Sequence, residues 1–284
     1  MSRKALWLTL AVLCLAGCFA AVVIAPTGSP ESPDEPAVID VLRLVGYDES
    51  GDPEWVLVAD SGQLMQETQT GSFSMFTLEF FDGGGATLSV TAGRVNLTSQ
   101  RGILTQSPSV GTVPSASRAG EYTLCADRMT WWREEDTLAG TDVSSSFSSG
   151  RLTAPVMELD LITEHLHFDG GILMNIDLED GKVAEVSGEA ATIVDDQIII
   201  ERSVVVAIAS DTYHCEAMTL QMTKDDTSVS SIHMEGDVSA SLSQGEITAD
   251  TLRVTADGWE AGGRVHIEFE VDLDESWSAR ESDA

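Results

Sequence analysis

One short pattern returns five times along this chain, and it limits the fold more than any other feature. An alanine is followed by two unspecified residues, an apolar residue, one more residue and a second apolar residue. The copies are Ala92 with Val95 and Leu97, Ala126 with Met129 and Trp131, Ala154 with Met157 and Leu159, Ala217 with Leu220 and Met222, and Ala249 with Leu252 and Val254. Their starts are 34, 28, 63 and 32 residues apart. The 63-residue step accommodates a degenerate copy near Gly188 to Ile193, and a weaker unit precedes the series at Trp55 to Ala59. Two copies match further upstream, Gly150-Arg-Leu-Thr-Ala154 and Gly245-Glu-Ile-Thr-Ala249. Alternation of apolar and polar residues within each copy marks strands with one buried and one solvated face. A unit of about 30 residues holds two or more short strands and cannot bury its apolar face alone, so the units must stack side by side. The phase of the alternation shifts after each alanine, which predicts a bend or bulge there.

The N-terminus reads differently. Arg3 and Lys4 precede a run without charge from Ala5 to Ala25, ended by Pro26. Twenty-one helical residues at about 1.5 Å each would cross about 30 Å of hydrocarbon. Residues 1–25 are therefore predicted to be a membrane anchor with its basic end in the cytoplasm, and residues 26–37 a Pro- and acid-rich stalk. Two other readings stand beside this one. Leu15-Ala16-Gly17-Cys18 has the form of a lipobox, with Cys18 as the acylated residue, and the whole segment also fits a cleaved secretory signal. All three place the remaining chain outside the cytoplasm.

That remainder is strongly acidic. The chain carries 15 Lys and Arg against 47 Asp and Glu, a formal charge of −32. After Pro36 the balance is 13 basic to 44 acidic residues. Such a surface repels nucleic-acid phosphates, which excludes a nucleic-acid role. No nucleophile motif, P-loop or zinc signature is present, so no catalytic residue, metal or cofactor is assigned. His165 and His167 share a strand face but lack further ligands nearby, and read as solvent-facing histidines. Trp131 and Trp132 should point to opposite sheet faces. Cys125 and Cys215 sit about three units apart. At two strands per unit and ~4.8 Å per strand, that separates them by about 29 Å, too far for a disulfide. Both are expected to be unpaired and buried.

Val41-Leu-Arg-Leu-Val-Gly-Tyr-Asp-Glu-Ser-Gly-Asp-Pro-Glu-Trp-Val-Leu-Val-Ala59, following an N-terminal anchor, resembles the opening of LptC, the membrane-anchored periplasmic component of lipopolysaccharide export. Ala217 to Met222, Met234-Glu-Gly-Asp-Val238 and Ile247-Thr-Ala-Asp-Thr-Leu252 resemble the LptA/OstA-like family. The resemblance runs over most of residues 38–270. It implies an all-β fold, a twisted antiparallel β-jellyroll open along one side. It divides the chain into an LptC-like domain at 38–180, an LptA/OstA-like domain at 181–272 and an acidic tail at 273–284. The ten apolar residues of the pattern, Val95, Leu97, Met129, Trp131, Met157, Leu159, Leu220, Met222, Leu252 and Val254, then become candidates to line a groove for acyl chains. The family further implies a non-enzymatic role in the periplasm. The protein would be held by a single pass in the inner membrane and carry lipopolysaccharide or a related glycolipid from an ABC transporter, pairing by its edge strands with further LptA-like domains. Two alternatives remain at this level: an anchored acidic β-solenoid with parallel rungs and a structural role, and a β-helix carbohydrate-active enzyme.

Overall fold

The computed structural model describes residues 21–26 and 36–269, apart from short stretches at 49, 66–67, 69, 83–84, 113–121, 133, 179, 195, 224–227, 244 and 256. Cys18, the first 20 residues of the expected anchor, most of the expected stalk and the expected tail lie outside the described residues. Within them the protein is all β. In chain order the strands are β1 (Ala21–Pro26), β2 (Ala37–Tyr47), β3 (Pro53–Ala59), β4 (Ser61–Met65), β5 (Thr70–Asp82), β6 (Gly85–Leu97) and β7 (Arg101–Thr105). There follow β8 (Ser109–Thr112), β9 (Tyr122–Cys125), β10 (Arg128–Trp132), β11 (Thr137–Phe147), β12 (Gly150–Asp160), β13 (Leu166–Asp177) and β14 (Val183–Val194). The series ends with β15 (Gln197–Ile208), β16 (Asp211–Met222), β17 (Val229–Leu242), β18 (Gly245–Thr255), β19 (Gly258–Gly262) and β20 (His266–Phe269).

All these strands join one antiparallel sheet, so the parallel-rung solenoid does not form. Nearly every strand bends halfway, and the sheet folds along the line of bends into two facing leaves. β12 illustrates the rule: it buries Leu152 and Ala154, exposes Val156 at the bend, then buries Met157 and Leu159. The parity of burial flips because the extra residue rotates the second half of the strand. Strands that are short in sequence are halves of the same design. β3 and β4 both pair with β5, and β7 and β8 both pair with β6. Leaf one runs from β1 through β3, β8, β9 and the halves of the long strands to β20, and leaf two from the start of β2 through β4, β7 and β10 to β19. Sixteen strand segments in leaf one, at ~4.8 Å per step, make a slab roughly 70 Å long.

The repeat now has a structural meaning. Ala92, Ala126, Ala154, Ala217 and Ala249 lie at or beside the bends of strands that pass from leaf one to leaf two, and Ala59 ends β3 at the same line. Four of the five, and Ala59, are buried on the inside of the corner. The degenerate copy is the bend of β14, with Ala190 and Ala191 buried. Each repeat is thus one out-and-back pair of strands. Strands returning from leaf two turn by another device. From β5 onward each places a residue of positive φ at its bend: Met75, Gln106 and Ser107, Asp142, Gly170 and Gly171, Arg202 and Ser203, Gly236 and Asp237, and Gly263. Left-handed backbone is costly for L-residues but makes the sharp bulge that a corner needs. Met75 has φ 51° and 63% of its surface exposed, so its side chain contributes little packing in return. Met75→Gly should therefore raise stability by about 0.5–1 kcal/mol, readable as a higher urea midpoint at unchanged slope.

The predicted anchor meets the sheet at its far end. Ala21 to Pro26 is a strand, β1, in register with β2 from Ala21↔Val45 to Pro26↔Ile39. The last five residues of the 1–25 segment are therefore extended, not helical. No helix among the described residues is long and apolar enough to cross a membrane. The ladder also passes the expected 180/181 domain boundary unbroken, with ten paired residues between β13 and β14.

Candidate lipid-binding slot

The space between the leaves holds one contiguous apolar core. On leaf two the register aligns its side chains into long inner rows. The deepest row, nearest the bends, reads Phe73, Val95, Leu104, Met129, Gly140, Met157, Phe168, Ala191, Ile200, Met218, Met234 and Leu252 from strand to strand. The next row outward reads Leu97, Gly102, Trp131, Leu138, Leu159, Leu166, Ile193, Ile198, Leu220, Ile232, Val254 and Trp259. Glycines stand where a neighbour needs the volume: a Cβ on Gly140 would lie 2.9 Å from the Met157 methyl, and one on Gly62 2.2 Å from the Phe73 ring.

All ten groove candidates lie on the inner face of leaf two. Val95, Met129, Met157 and Leu252 belong to the deep row, and Leu97, Trp131, Leu159, Leu220 and Val254 to the second. Met222 sits at the rim, opposite Val229. Exposure grows outward. The four deep-row candidates are at most 1% exposed, whereas Leu97, Met222 and Val254 are only partly buried.

Sequence reasoning missed the other half of leaf two and all of leaf one. The leaf-one row contains Leu57, Leu78, Val90, Val110, Leu124, Leu152, Met174, Val186, Val206, Tyr213 and Ala240. Ser145 interrupts this row between Leu124 and Leu152, fully buried and with its hydroxyl unpartnered. The missing signal was antiparallel pairing itself: each motif strand implies an inward alternation on both neighbours.

Opposite the bends, the turns of the two leaves meet along a seam. The Ser149 hydroxyl donates to the Met222 sulfur at 3.9 Å, and Leu178 forms a backbone bridge with Val229. Further toward the N-terminus, Glu54 faces Asp136 and Asp48. Burial first, then those charges, raise its pKa. Tyr122 closes the seam beside Glu164, and burial pushes its phenol well above the usual range. These contacts offset the facing rims by about three to four strands, as the accumulated right-handed twist requires.

Past the Leu178–Val229 bridge the seam opens into a mouth of about 260 Å³. Leu178, Ile208 and Tyr213 line it from leaf one, and Val229, Ile232, Val254 and Trp259 from leaf two. Beyond the mouth the C-terminal end of the slab is uncovered among the described residues. Trp259 is 45% exposed, Val265 43%, Ile267 37% and Phe269 59%. Trp259 and Ile267 lie across from the inward-facing Val254 and Ile247, so they continue the inner rows past the last covered strand. β19 and β20 each offer one free edge among the described residues.

The polar candidates settle simply. His165 and His167 are exposed, and His167 shares a hydrogen bond with Thr192 at 3.1 Å. No group of three or more potential metal ligands occurs among the described residues. Trp131 is in the core while Trp132 faces outward beneath Arg101, 5.6 Å from ring to guanidinium. Both body cysteines are free. They occupy β9 and β16, six strand steps apart on leaf one. Cys215 is buried, with its thiol pKa pushed up to about 11 by burial. Cys125 is exposed, which corrects the expectation that both are buried: in β9 the inward positions are Tyr122 and Leu124, and Cys125 falls on the alternate face.

The fold and slot define a two-leaved antiparallel sheet with an apolar interior, closed along one side by bends. No family model matches the chain, and no curated protein matches it in sequence. Among solved structures it is similar to LptH, the LptA-homologous periplasmic component of the conserved lipopolysaccharide transport device from Pseudomonas aeruginosa. The identity is 13% and the TM-score 0.35, over 54% of this chain and 98% of that one.

Proposed function

We propose that this protein is a lipid-carrying bridge of the periplasm. Its N-terminal segment anchors it at the inner membrane, by a single pass or by acylation of Cys18. The slab accepts lipopolysaccharide or a related lipid from an ABC transporter and moves it toward the outer membrane. The LptC-like residues 38–180 form the receiving half, and the LptA/OstA-like residues 181–272 the delivering half. The observation that carries this reading is the pair of unbroken apolar rows leading to an open mouth. An acyl chain gains about 0.8 kcal/mol per CH₂ kept from water, and rows that run along leaf two to β18 and β19 offer it cover in the direction of travel. The C-terminal end, which among the described residues is uncovered and offers two free edges with exposed Trp259, Ile267 and Phe269, supports docking of a further β domain by edge pairing. No catalytic role is assigned.

A second reading has its own support. Met129, Met157, Leu159 and Leu220 are completely buried by neighbouring side chains, so the described interior is filled upstream of the mouth. A closed scaffold would look the same, and carriage requires the leaves to part at the seam. Photo-crosslinking separates the two. A benzophenone amino acid at Leu159, Leu252 or Val254 should capture cellular lipid if the slot carries cargo, with Val254 at the mouth labelled most strongly. Crosslinks to protein alone from all three positions would leave the scaffold.

A further inference from the structure

The charge around the mouth bears on what head group a bound lipid can carry. The lining includes four ionisable aliphatic side chains: Asp180, Asp211 and Asp257, all acidic, and Lys182. Lys182 does not offset them freely, because its ammonium is held by Asp180, which also accepts the Lys182 N–H at 3.0 Å, and only a weaker attraction reaches from it to Asp211. Asp211 is fixed at the rim by the backbone N–H of Ser243 at 3.0 Å and is hydrogen-bonded to Ser210. No cation forms an ion pair with Asp211 or Asp257 among the described residues. The remaining polar lining is hydroxyls, from Tyr213, Ser230, Ser231 and Thr255. The walls below are apolar.

We infer that the mouth takes an alkyl chain whose head group carries no net negative charge. A cationic head would be preferred, an uncharged hydroxylated one accepted and an anionic one rejected. A chain seated against Val229, Ile232 and Val254 leaves its head at the rim, beside Asp211 and Asp257. Among the described residues an anionic head there meets like charges with no guanidinium, and with the one lining ammonium, Lys182, already held by Asp180, whereas a cationic head completes carboxylates that no ion pair satisfies. The inference rests on the slot reading, and between lipopolysaccharide and a related lipid it selects the related lipid.

Three probes with one 12-carbon chain test it on the full chain by titration calorimetry below their micelle concentrations: dodecyltrimethylammonium, dodecyl maltoside and dodecyl phosphate. The expected order is cationic, then uncharged, then anionic. The first should bind about tenfold or more tighter than the last at low salt, and the gap should close near 1 M salt, where the Debye length is about 3 Å. Asp211→Asn together with Asp257→Asn should bring the three affinities within about twofold of one another. Tetramethylammonium, a head without a chain, should not bind, which separates the mouth from general attraction to an acidic surface. Tightest binding of dodecyl phosphate, or a cation preference unchanged by the double substitution, would overturn the charge inference while leaving a slot. Failure of all three chains to bind would overturn the slot reading itself.

Discussion

Phe168→Ala should cost about 3–5 kcal/mol of stability, the usual range for emptying an aromatic site in a core. Phe168 is completely buried. It lies in the deep row of leaf two, between Met157 on β12 and Ala191 on β14. Ala191 on one side is too small to fill the void, and Met157 on the other is already fully buried in its own place in the row. Relaxation would require the two leaves to approach, which the bends of the neighbouring strands oppose. A domain of ordinary stability has 5–15 kcal/mol in all. A loss of this size should lower the denaturation midpoint sharply and, at the upper end, leave a measurable unfolded fraction at 37 °C. Phe168→Leu, which keeps most of the volume, should recover more than half of the loss. Equal damage from both substitutions would mean that the ring is not packed as described.

Gly150→Ala should cost about 3 kcal/mol, through contact rather than through loss of packing. Gly150 opens β12 and pairs with both Phe147 and Ile176. A Cβ there would lie 2.1 Å from the carbonyl oxygen of Asn175 and 3.1 Å from the Ile176 Cα. Both are backbone of the adjacent strand, so nothing can swing aside, and the β12–β13 ladder would have to separate at its rim. Gly245, the same position in the other long copy of the repeat, meets the Glu268 carbonyl at 1.9 Å. The control is Gly111→Ala in β8, where a Cβ has only ordinary contacts at 3.8 Å and the backbone is unstrained. A glycine inside a strand is unfavourable relative to alanine by roughly 0.5–1 kcal/mol, so this substitution should be neutral or slightly stabilising. Comparable losses at Gly150 and Gly111 would refute the steric account.

These two sites also show what could and could not be read from residues alone. The repeated alanine with its following apolar pair was legible, and it located the bends and one inner face, because a bend shifts the phase of burial in a way that alternation displays directly. The returning strands were not legible. Glycines mark their bends at 170–171, 236 and 263, but those at Met75, Gln106 and Arg202 depend on a left-handed backbone in residue types that give no warning of it. The six-step separation of the cysteines followed from the repeat, yet the exposure of Cys125 did not, since one residue of register decides which face it takes. The mouth was invisible as well. Leu178 and Val229 are 51 positions apart in sequence and meet only because twist slides one rim past the other. The apolar run at the N-terminus suggested a helix to residue 25, and composition alone does not distinguish helix from strand in Val22, Val23 and Ile24.

The alternation of two bend types makes the slab extensible in steps. Each alanine-to-alanine stretch contributes one strand in each direction and takes its ladder pairing from the stretches beside it, so one more copy adds about 10 Å of reach and shifts only the contacts along the seam. A chain built this way measures distance by counting copies, and the gap it spans can change by duplication or loss of a single hairpin.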